Sequence, residues 1–220
     1  MRRLAQFVIA VALPAFLLLT NVRLLMTSAF LHYEYGRAGF PAAAEFTAAQ
    51  RMATAQTTLA YVRGHTELDA LRQLPYREKE VRHLVDVRVL TGRAFATHWL
   101  TGGLLLLSLL FLARQTQTRP LAARSLVYGS GLTLALLGVM ALIVYVNFDW
   151  FFVRFHRLFF EGDSWLFDFS DTLIQVFPIP FWFDAALGLA LLTMGEALAV
   201  GLGSYVWLRR REERYTMQDA

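Results

Sequence analysis

Five histidines give this chain its main capacity for proton transfer at neutral pH. A free imidazole has a pKa of about 6.5, which lies close to physiological pH. The chain has no cysteine, which excludes disulfides, thiolate metal sites and a cysteine nucleophile. The histidines are His32, His65, His83, His98 and His156. A single histidine is usually an ordinary interfacial residue, but the sequences around His83 and His156 favour a further role.

His83 lies in the charged stretch EVRHLVDVR, residues 80–88. On a helix, residues three and four apart are neighbours, so Glu80, His83 and either Asp86 or Val87 share one strip. Asp86 is then placed to orient the imidazole of His83 and stabilise its charge, or to pair with Arg82 instead. An amphipathic surface helix explains the same charges, so both interpretations stay open.

His156 lies in the aromatic stretch FFVRFHRLFFE, residues 151–161. Helical steps of 100° per residue place three charged side chains on one face: Arg154, Arg157 and Glu161. They place His156 on the opposite face, among Phe152, Phe159 and Phe160. Such a helix lies in the membrane interface with its aromatic face toward the acyl chains. Burial there favours the neutral imidazole, a suitable general base, although bonding to a nearby carbonyl explains the residue equally well.

The residues that follow contain Gly162-Asp163-Ser164 and further aspartates between aromatic residues. The triplet resembles the nucleophile motif of some soluble esterases, where it follows a strand of an α/β domain. No such strand is predicted here, so we expect Ser164 not to be a nucleophile. Metal binding by the two histidines and these aspartates is an alternative, but no His-x-x-x-His pair fixes two ligands on one element. We expect no metal and no cofactor.

Four apolar segments are long enough to cross a bilayer, which takes about 17–25 residues. They are residues 4–27, 94–113, 125–148 and 185–208. The chain is 56% hydrophobic and 17% charged, against about 25% charged in soluble domains. Backbone amides in lipid must be paired within the segment, so the spans are helices. The predicted fold is an all-α membrane protein with four transmembrane helices in a single membrane domain, 1–220, whose first span is an uncleaved anchor rather than a signal peptide.

Clusters of arginine predict the orientation of the spans. They precede the first span, fill the link between the second and third, and follow the fourth: Arg2, Arg3, Arg114, Arg119, Arg124, Arg209, Arg210, Arg211 and Arg214. By the positive-inside rule these sides are cytoplasmic. The predicted cytoplasmic segments are residues 1–3, 114–124 and 209–220, and the extracytoplasmic segments are residues 31–93 and 149–184. The net charge of +4 therefore reports topology, and we expect no nucleic-acid partner.

The first outer segment is predicted to contain two helices. One covers residues 42–63 and ends at Gly64, and the other runs from Arg77 to about Leu90 after a proline. The second outer segment is predicted to be an interfacial aromatic helix followed by a loop. Glu196, inside the fourth span, is an intramembrane carboxylate that is functional by default, although one buried partner would also explain it.

Several of these stretches together resemble one known family. They are Phe155-His156, the run from Phe159 to Asp168 containing Gly-Asp-Ser-Trp-Leu-Phe-Asp, the closing Phe177-Pro178 and Phe181-Trp182, and the upstream Glu80-x-x-His83-Leu84-x-Asp86-Val87. The pattern is similar to that of the bacterial lipoprotein intramolecular transacylases (Lit). The similarity covers nearly the whole chain, since the four spans and two outer segments occur in the same order.

This resemblance implies an acyltransferase in the bacterial plasma membrane whose active site faces the extracytoplasmic side. The sn-2 acyl chain of a diacylglyceryl-modified N-terminal cysteine moves to the α-amino group of that cysteine, giving a lyso-form lipoprotein. The partners implied are the diacylated lipoprotein and membrane phospholipid. The family's functional histidines correspond by motif to His83 and His156. We expect Asp86 to orient His83, and we expect substrate contacts from Arg154, Asp163, Trp165 and Asp168.

In this hypothesis one imidazole acts as the general base and the other as the general acid. Either histidine can take either role. Two alternatives from other classes stay open. One is a metal-dependent membrane hydrolase that uses the same histidines and aspartates. The other is a non-catalytic receptor or transporter subunit in which Glu196 is the polar pathway residue.

Overall fold

The computed structural model describes residues 1–218, with the side chains of all but 148, 149 and 215–218. Within this range the chain is helical and contains no strand. The helices are α1 (Arg2–Leu25), α2 (Ser28–Gly36), α3 (Ala48–Val62), α4 (Leu68–Arg72), α5 (Glu78–Ala113), α6 (Arg119–Val146), α7 (Phe148–Phe159), α8 (Thr172–Val176) and α9 (Ile179–Gln218).

Four of these helices, α1, α5, α6 and α9, are long and apolar enough to cross a membrane. Each overlaps one of the four predicted spans, and together they confirm the all-α membrane fold with four transmembrane helices. Many of their large apolar side chains are exposed, including Leu107, Leu142 and Leu202. Such side chains belong in contact with acyl chains, because lipid is as apolar as they are.

Helix α5 combines two elements that were predicted to be separate. The predicted outer helix from Arg77 to Leu90 and the predicted span 94–113 form one helix of 36 residues. At 1.5 Å per residue such a helix is about 54 Å long, well beyond the roughly 30 Å of a hydrocarbon core. Its first part, residues 78–93, is rich in charged side chains, which are expensive in lipid. This charged part, which carries His83, therefore lies outside the membrane-spanning part.

Other boundaries also differ from the predictions. The apolar run that begins at residue 4 breaks after Leu25, and α2 begins at Ser28 because the Thr27 side chain accepts from the Phe30 N–H as an N-cap. Helix α3 begins at Ala48 rather than residue 42, since Thr47 and Gln50 form a capping box there. The predicted end at Gly64 is confirmed by its φ of 77°. The short helices α4 and α8 were not predicted.

The chain divides into two compact units. One comprises Met1–Asn21, Ala96–Tyr145 and Leu189–Ala220, and the other comprises Val22–Phe95 and Val146–Gly188. The prediction of a single membrane domain stays a prediction.

The first unit is packed through small residues and one polar cluster. A Cβ atom at Gly129 would lie 3.0 Å from Leu13 Cδ2 and 3.2 Å from the carbonyl oxygen of Ala10, so glycine permits the close approach of two helices. The side-chain amide of Asn21, fully buried, donates to Glu196 Oε2 at 2.8 Å. Glu196 therefore has a buried partner, which explains an intramembrane carboxylate without a transport pathway.

The second unit holds the predicted site and has its own apolar core. The core includes Leu31, Ala55, Leu71, Val81, Leu84, Leu173, Val176 and Phe177. A buried arginine, Arg51, joins its parts by donating to the carbonyl oxygens of Pro41 at 2.6 Å and Val176 at 3.3 Å. Its guanidinium also packs over the rings of Tyr35 and Phe40. These contacts hold the segments around α3 and α8 in place.

Candidate active site

His83 projects from the charged first part of α5 into aromatic surroundings. Its imidazole lies 4.8 Å from the Phe160 ring and 5.2 Å from the Phe167 ring, centroid to centroid. Its Nδ1 atom is buried and has no hydrogen-bond partner. Burial, together with the positive charge that His156 can carry, lowers the pKa of His83 to about 4. His83 is therefore neutral at pH 7.

His156 lies near the end of α7 with one ring nitrogen fixed. Its Nδ1 lies 2.8 Å from the main-chain oxygen of Phe152, one turn earlier. A carbonyl oxygen only accepts, so Nδ1 carries the proton and Nε2 keeps its lone pair in the neutral ring. Burial lowers the pKa of His156, and the bond to the Phe152 carbonyl opposes this only in part. The structure contains the carbonyl-bonded histidine of the second interpretation, and the role of general base stays a prediction.

Aromatic rings enclose His156 and connect it with His83. Phe152 lies 4.1 Å from the His156 ring and Trp165 stacks on it at 4.8 Å with an interplanar angle of 29°. Phe160 contacts both imidazoles, at 5.8 Å from His156 and 4.8 Å from His83. The structure thus brings the two predicted histidines into one aromatic cluster.

Trp165 is held in this cluster by the turn that precedes it. The indole Nε1–H donates to the carbonyl oxygen of Gly162 at 3.0 Å. Gly162 has a φ of +60°, a conformation that glycine adopts without the steric cost of a side chain. The Gly-Asp-Ser-Trp sequence therefore places a tryptophan against His156, whereas the Ser164 hydroxyl donates to the carbonyl oxygen of Glu161 at 3.4 Å.

The end of α7 differs from the helical prediction. The helix ends at Phe159, and Phe160 has an extended conformation with φ −127° and ψ 139°. Glu161 is therefore not on the charged face of that helix, and the prediction that placed it there is wrong. Phe152 and Phe160 lie against His156 as predicted, while Phe159 packs on Phe155 at 5.0 Å.

Asp86 and His83 are not joined as expected. The His83 Nδ1 atom has no hydrogen-bond partner, and the Asp86 carboxylate is exposed. Helical spacing predicts which side chains are neighbours. It does not predict which neighbour a carboxylate faces. The orienting role of Asp86 stays a prediction, and the rings of Phe160 and Phe167 are the contacts that position His83.

The remaining predicted substrate contacts lie at the surface around this cluster. Arg154 is exposed with its guanidinium 5.8 Å from the Trp150 ring. Asp163 is exposed as well. The Asp168 carboxylate is exposed and lies 3.8 Å from Lys79 Nζ. Trp165 differs in stacking on the His156 ring, but all four predicted substrate contacts stay predictions.

Two buried carboxylates help to position the site, and neither was predicted to do so. Glu80 is fully buried, and its two oxygens accept from the main-chain N–H groups of Leu173 at 2.6 Å and Arg77 at 2.7 Å. This side chain ties α8 to the start of α5. The sequence signal was a glutamate on the same helical strip as His83, but its partner is 93 residues away.

Asp171, also fully buried, makes the second connection. Its carboxylate pairs with Arg77 Nη1 at 2.8 Å and Lys79 Nζ at 2.5 Å, and accepts from the Asp168 N–H at 2.8 Å. Burial alone would raise the pKa of Asp171, but the hydrogen bonds from Lys79 and Asp168 and the two nearby positive charges hold it below its usual value. Asp171 therefore stays ionised and fixes the segment after Trp165 to α5.

No group of three histidine, aspartate or glutamate side chains converges as a metal site among the residues that the structure describes. The residues of the aromatic cluster supply two neutral imidazoles surrounded by aromatic rings. Such a site can accept and donate protons and can exclude water from an apolar substrate.

The fold and the site together define a multi-pass helical membrane protein with a two-histidine centre. The profile of the lipoprotein intramolecular transacylases, Lit, matches residues 7–182. The chain belongs to this family, and it is accordingly an acyltransferase that acts on lipoproteins.

Individual proteins are similar to this chain over most of its length. The chain is 26% identical over 201 residues to an uncharacterised protein of Aquifex aeolicus, covering 88% of this chain and 89% of that protein. The in meso structure of Lit from Bacillus cereus superposes with a TM-score of 0.83, at 21% identity over 97% of this chain and 98% of that one. Two variants of the Bacillus cereus protein, with a histidine replaced by arginine or by alanine, give TM-scores of 0.78 and 0.79 at 20% identity. These structures show the fold that the chain shares.

Proposed function

We propose that this chain moves the sn-2 acyl chain of a diacylglyceryl-modified N-terminal cysteine to the α-amino group of the same cysteine. The product is a lyso-form lipoprotein with one amide-linked and one ester-linked chain. Membership of the transacylase family supports the reaction class. The observation that carries the mechanism is the bond from His156 Nδ1 to the Phe152 carbonyl, because it leaves a basic Nε2 in an aromatic setting.

His156 is the general base in this mechanism. An α-amino group has a pKa near 8, so it is largely protonated at neutral pH and must lose a proton before it attacks an ester. Because the pKa of His156 is lowered, its ring is neutral at pH 7 and Nε2 can accept that proton. A general base of this kind contributes about 10²–10⁴-fold to the rate.

The bonds and protons balance without another reactant. The amine nitrogen attacks the ester carbonyl carbon, a C–N bond forms, and the C–O bond to the sn-2 glycerol oxygen breaks. The first proton that His156 Nε2 takes, from the ammonium group, leaves to water. The second proton, which the nitrogen loses as it attacks, passes through Nε2 to that glycerol oxygen. Since nucleophile and ester belong to one molecule, a near-attack geometry removes a further part of the barrier, and no acyl-enzyme is needed.

His83 has a different role in this proposal. With a pKa of about 4, it is neutral at pH 7 and does not supply a proton as an imidazolium. A neutral imidazole N–H can still donate a hydrogen bond to the oxygen of a tetrahedral intermediate, and such a donor is effective in a dry site. We assign His83 this electrostatic role beside the base.

The reaction is proposed to take place on the extracytoplasmic side of the plasma membrane. The arginine clusters that flank the spans support this orientation. Exposed apolar residues on α7, including Phe155, Leu158 and Phe159, support contact of this helix with membrane phospholipid. An acyl chain can then reach His156 from the bilayer.

A reporter lipoprotein co-expressed with this protein tests the proposal. The bacterial host must lack its own enzymes for N-acylation of lipoproteins. Mass spectrometry should show an N-terminal lipopeptide of unchanged mass, with a blocked amine, one amide-linked chain and one free glycerol hydroxyl. A hydrolase would instead lower the mass by one acyl chain and release fatty acid, and a non-catalytic subunit would leave the lipopeptide diacylated with a free amine.

A further inference from the structure

A groove with mixed polar and apolar lining runs beside the two histidines and has no part in the proton transfers. Its volume is about 620 Å³, within the range of about 300–1,000 Å³ found for ligand sites. Leu68, Val81 and Val85 form its apolar lining. Glu161, Asp163 and Ser164, which follow α7 in the chain, also line it. Because residues 82 and 86 of α5 also line it, the groove begins within one helical turn of His83.

The charges of this groove are unbalanced. Four carboxylates line it: Glu78, Asp86, Glu161 and Asp163. The basic side chains are Arg72, Arg82 and Lys79, of which Lys79 is already paired with Asp171 at 2.5 Å. Within the described part of the chain, none of the four carboxylates forms an ion pair. The groove therefore offers more negative than positive charge to a ligand.

The two parts of a lipoprotein substrate need different surroundings. Its acyl chains belong among the aromatic side chains near His156, while the polypeptide after the cysteine must leave through a polar, water-accessible route. The groove beside His83 offers such a route, because both apolar and charged side chains line it. We propose that it holds the polypeptide segment that follows the lipidated cysteine, and that its carboxylates favour basic side chains there; this inference rests on the proposed function.

Two synthetic lipopeptides test the charge preference with the purified full-length protein in detergent micelles. Both carry a diacylglyceryl-cysteine, followed by four lysines in one and four glutamates in the other. The wild-type protein should convert the lysine peptide with a kcat/KM about threefold to tenfold higher, since each exposed ion pair contributes little. The preference should shrink in 1 M salt, where charges are screened beyond about 3 Å.

Charge reversal in the groove supplies the decisive comparison. In Glu161→Lys the ratio of the two kcat/KM values should fall by about threefold or more. The matched control is Glu45→Lys, which changes an exposed glutamate in a separate groove beside α3 and should leave the ratio unchanged. If Glu161→Lys does not insert stably, Glu78→Lys on the α5 side makes the same comparison.

The outcomes separate this inference from the proposed function. Equal conversion of both peptides by the wild-type protein, or an equal change of the ratio in Glu161→Lys and Glu45→Lys, overturns the groove assignment while the transacylase reaction stands. Failure of the wild-type protein to convert either peptide overturns the proposed function and the groove assignment with it.

Discussion

His156 Nδ1 lies 2.8 Å from the carbonyl oxygen of Phe152, four residues earlier on α7. His32 makes the same bond on α2, where its Nδ1 lies 2.7 Å from the carbonyl oxygen of Ser28. The two histidines differ in their surroundings, since His32 is exposed whereas His156 is stacked on Trp165. The bond fixes the tautomer in both, but only at His156 does the free Nε2 lie in an aromatic enclosure that contains a second imidazole.

Replacement of His156 by asparagine isolates the role of Nε2. The asparagine amide can still donate to the Phe152 carbonyl in place of Nδ1, but it has no base in place of Nε2. We expect His156→Asn to lower kcat by about 10²–10⁴-fold. The rate of N-acylation of a diacylated lipopeptide measures this loss.

His32→Asn is the matched control for that substitution. It changes the same bond at an exposed position, so we expect less than a twofold change in rate. Normal activity in His156→Asn would remove His156 as the base, and an equal loss in both variants would point to a general structural effect.

The pH dependence of the reaction should report His156 rather than His83. Burial lowers the pKa of His156 below 6.5, so kcat should fall as the pH decreases through a value below 6.5 and protonated His156 no longer acts as base. His83, with a pKa of about 4, stays neutral across this range. A His83→Gln variant should therefore show a lower rate with the same acid limb, and a shifted limb in that variant would show that His83 titrates there.

The fold was predictable where one property of the sequence determines it. The four spans follow from uncharged runs of sufficient length, and the end of α3 follows from Gly64. The continuity of α5 was not predicted. Residues 78–93 are charged and the span that follows is apolar, so the two parts differ in composition although the helical backbone continues through both. The short helix α8 depends on a distant partner, since the Leu173 N–H bonds to Glu80.

The site was predictable to a smaller extent. His83 and His156 stand out because titratable rings occur among charged or aromatic neighbours, and their approach is visible only in the structure. The position of Asp86 could not be deduced from helical spacing, which does not fix the direction of a carboxylate. The burial of Glu80 and Asp171 was equally inaccessible, since it depends on contacts between segments more than 90 residues apart.

Glu80→Gln should destabilise the protein without removing a group from the aromatic cluster. Both oxygens of Glu80 accept main-chain N–H bonds, at 2.6 Å and 2.7 Å. Glutamine keeps one acceptor and turns an NH₂ group toward the other N–H, which leaves a buried donor unpaired at a cost of about 1–3 kcal/mol. The melting temperature in detergent should fall, whereas Glu78→Gln at the exposed start of α5 should change stability by less than about 0.5 kcal/mol. Equal melting temperatures for the two variants would contradict this role of Glu80.

Single cysteines test the proposed orientation, because the native chain has none. A membrane-impermeant thiol reagent applied to intact cells should label His65→Cys and Asp163→Cys, which replace exposed residues of the outer segments. It should not label Arg119→Cys until the membrane is permeabilised, since residue 119 lies in a predicted cytoplasmic link. Labelling of position 119 alone in intact cells would invert the topology.

The transfer should proceed without an acyl-enzyme. Ser164, the serine in the motif similar to that of esterases, donates its hydroxyl to the carbonyl oxygen of Glu161, and no imidazole activates it in the described structure. Ser164→Ala should therefore retain measurable activity, while His83→Ala and His156→Ala should each lose it and still insert into the membrane. The double histidine variant should be no worse than the weaker single variant, because groups that act in one step are not additive.

Rapid quenching followed by mass spectrometry of enzyme peptides examines the same point directly. The amine and the ester already belong to one substrate, so intramolecular geometry supplies what a covalent intermediate would otherwise provide. We expect no peptide of this protein to carry a fatty acyl group at any time during turnover. An acyl group on the Ser164 hydroxyl or on an imidazole would make that residue a nucleophile, and the base assigned to His156 would then activate the enzyme rather than the substrate amine.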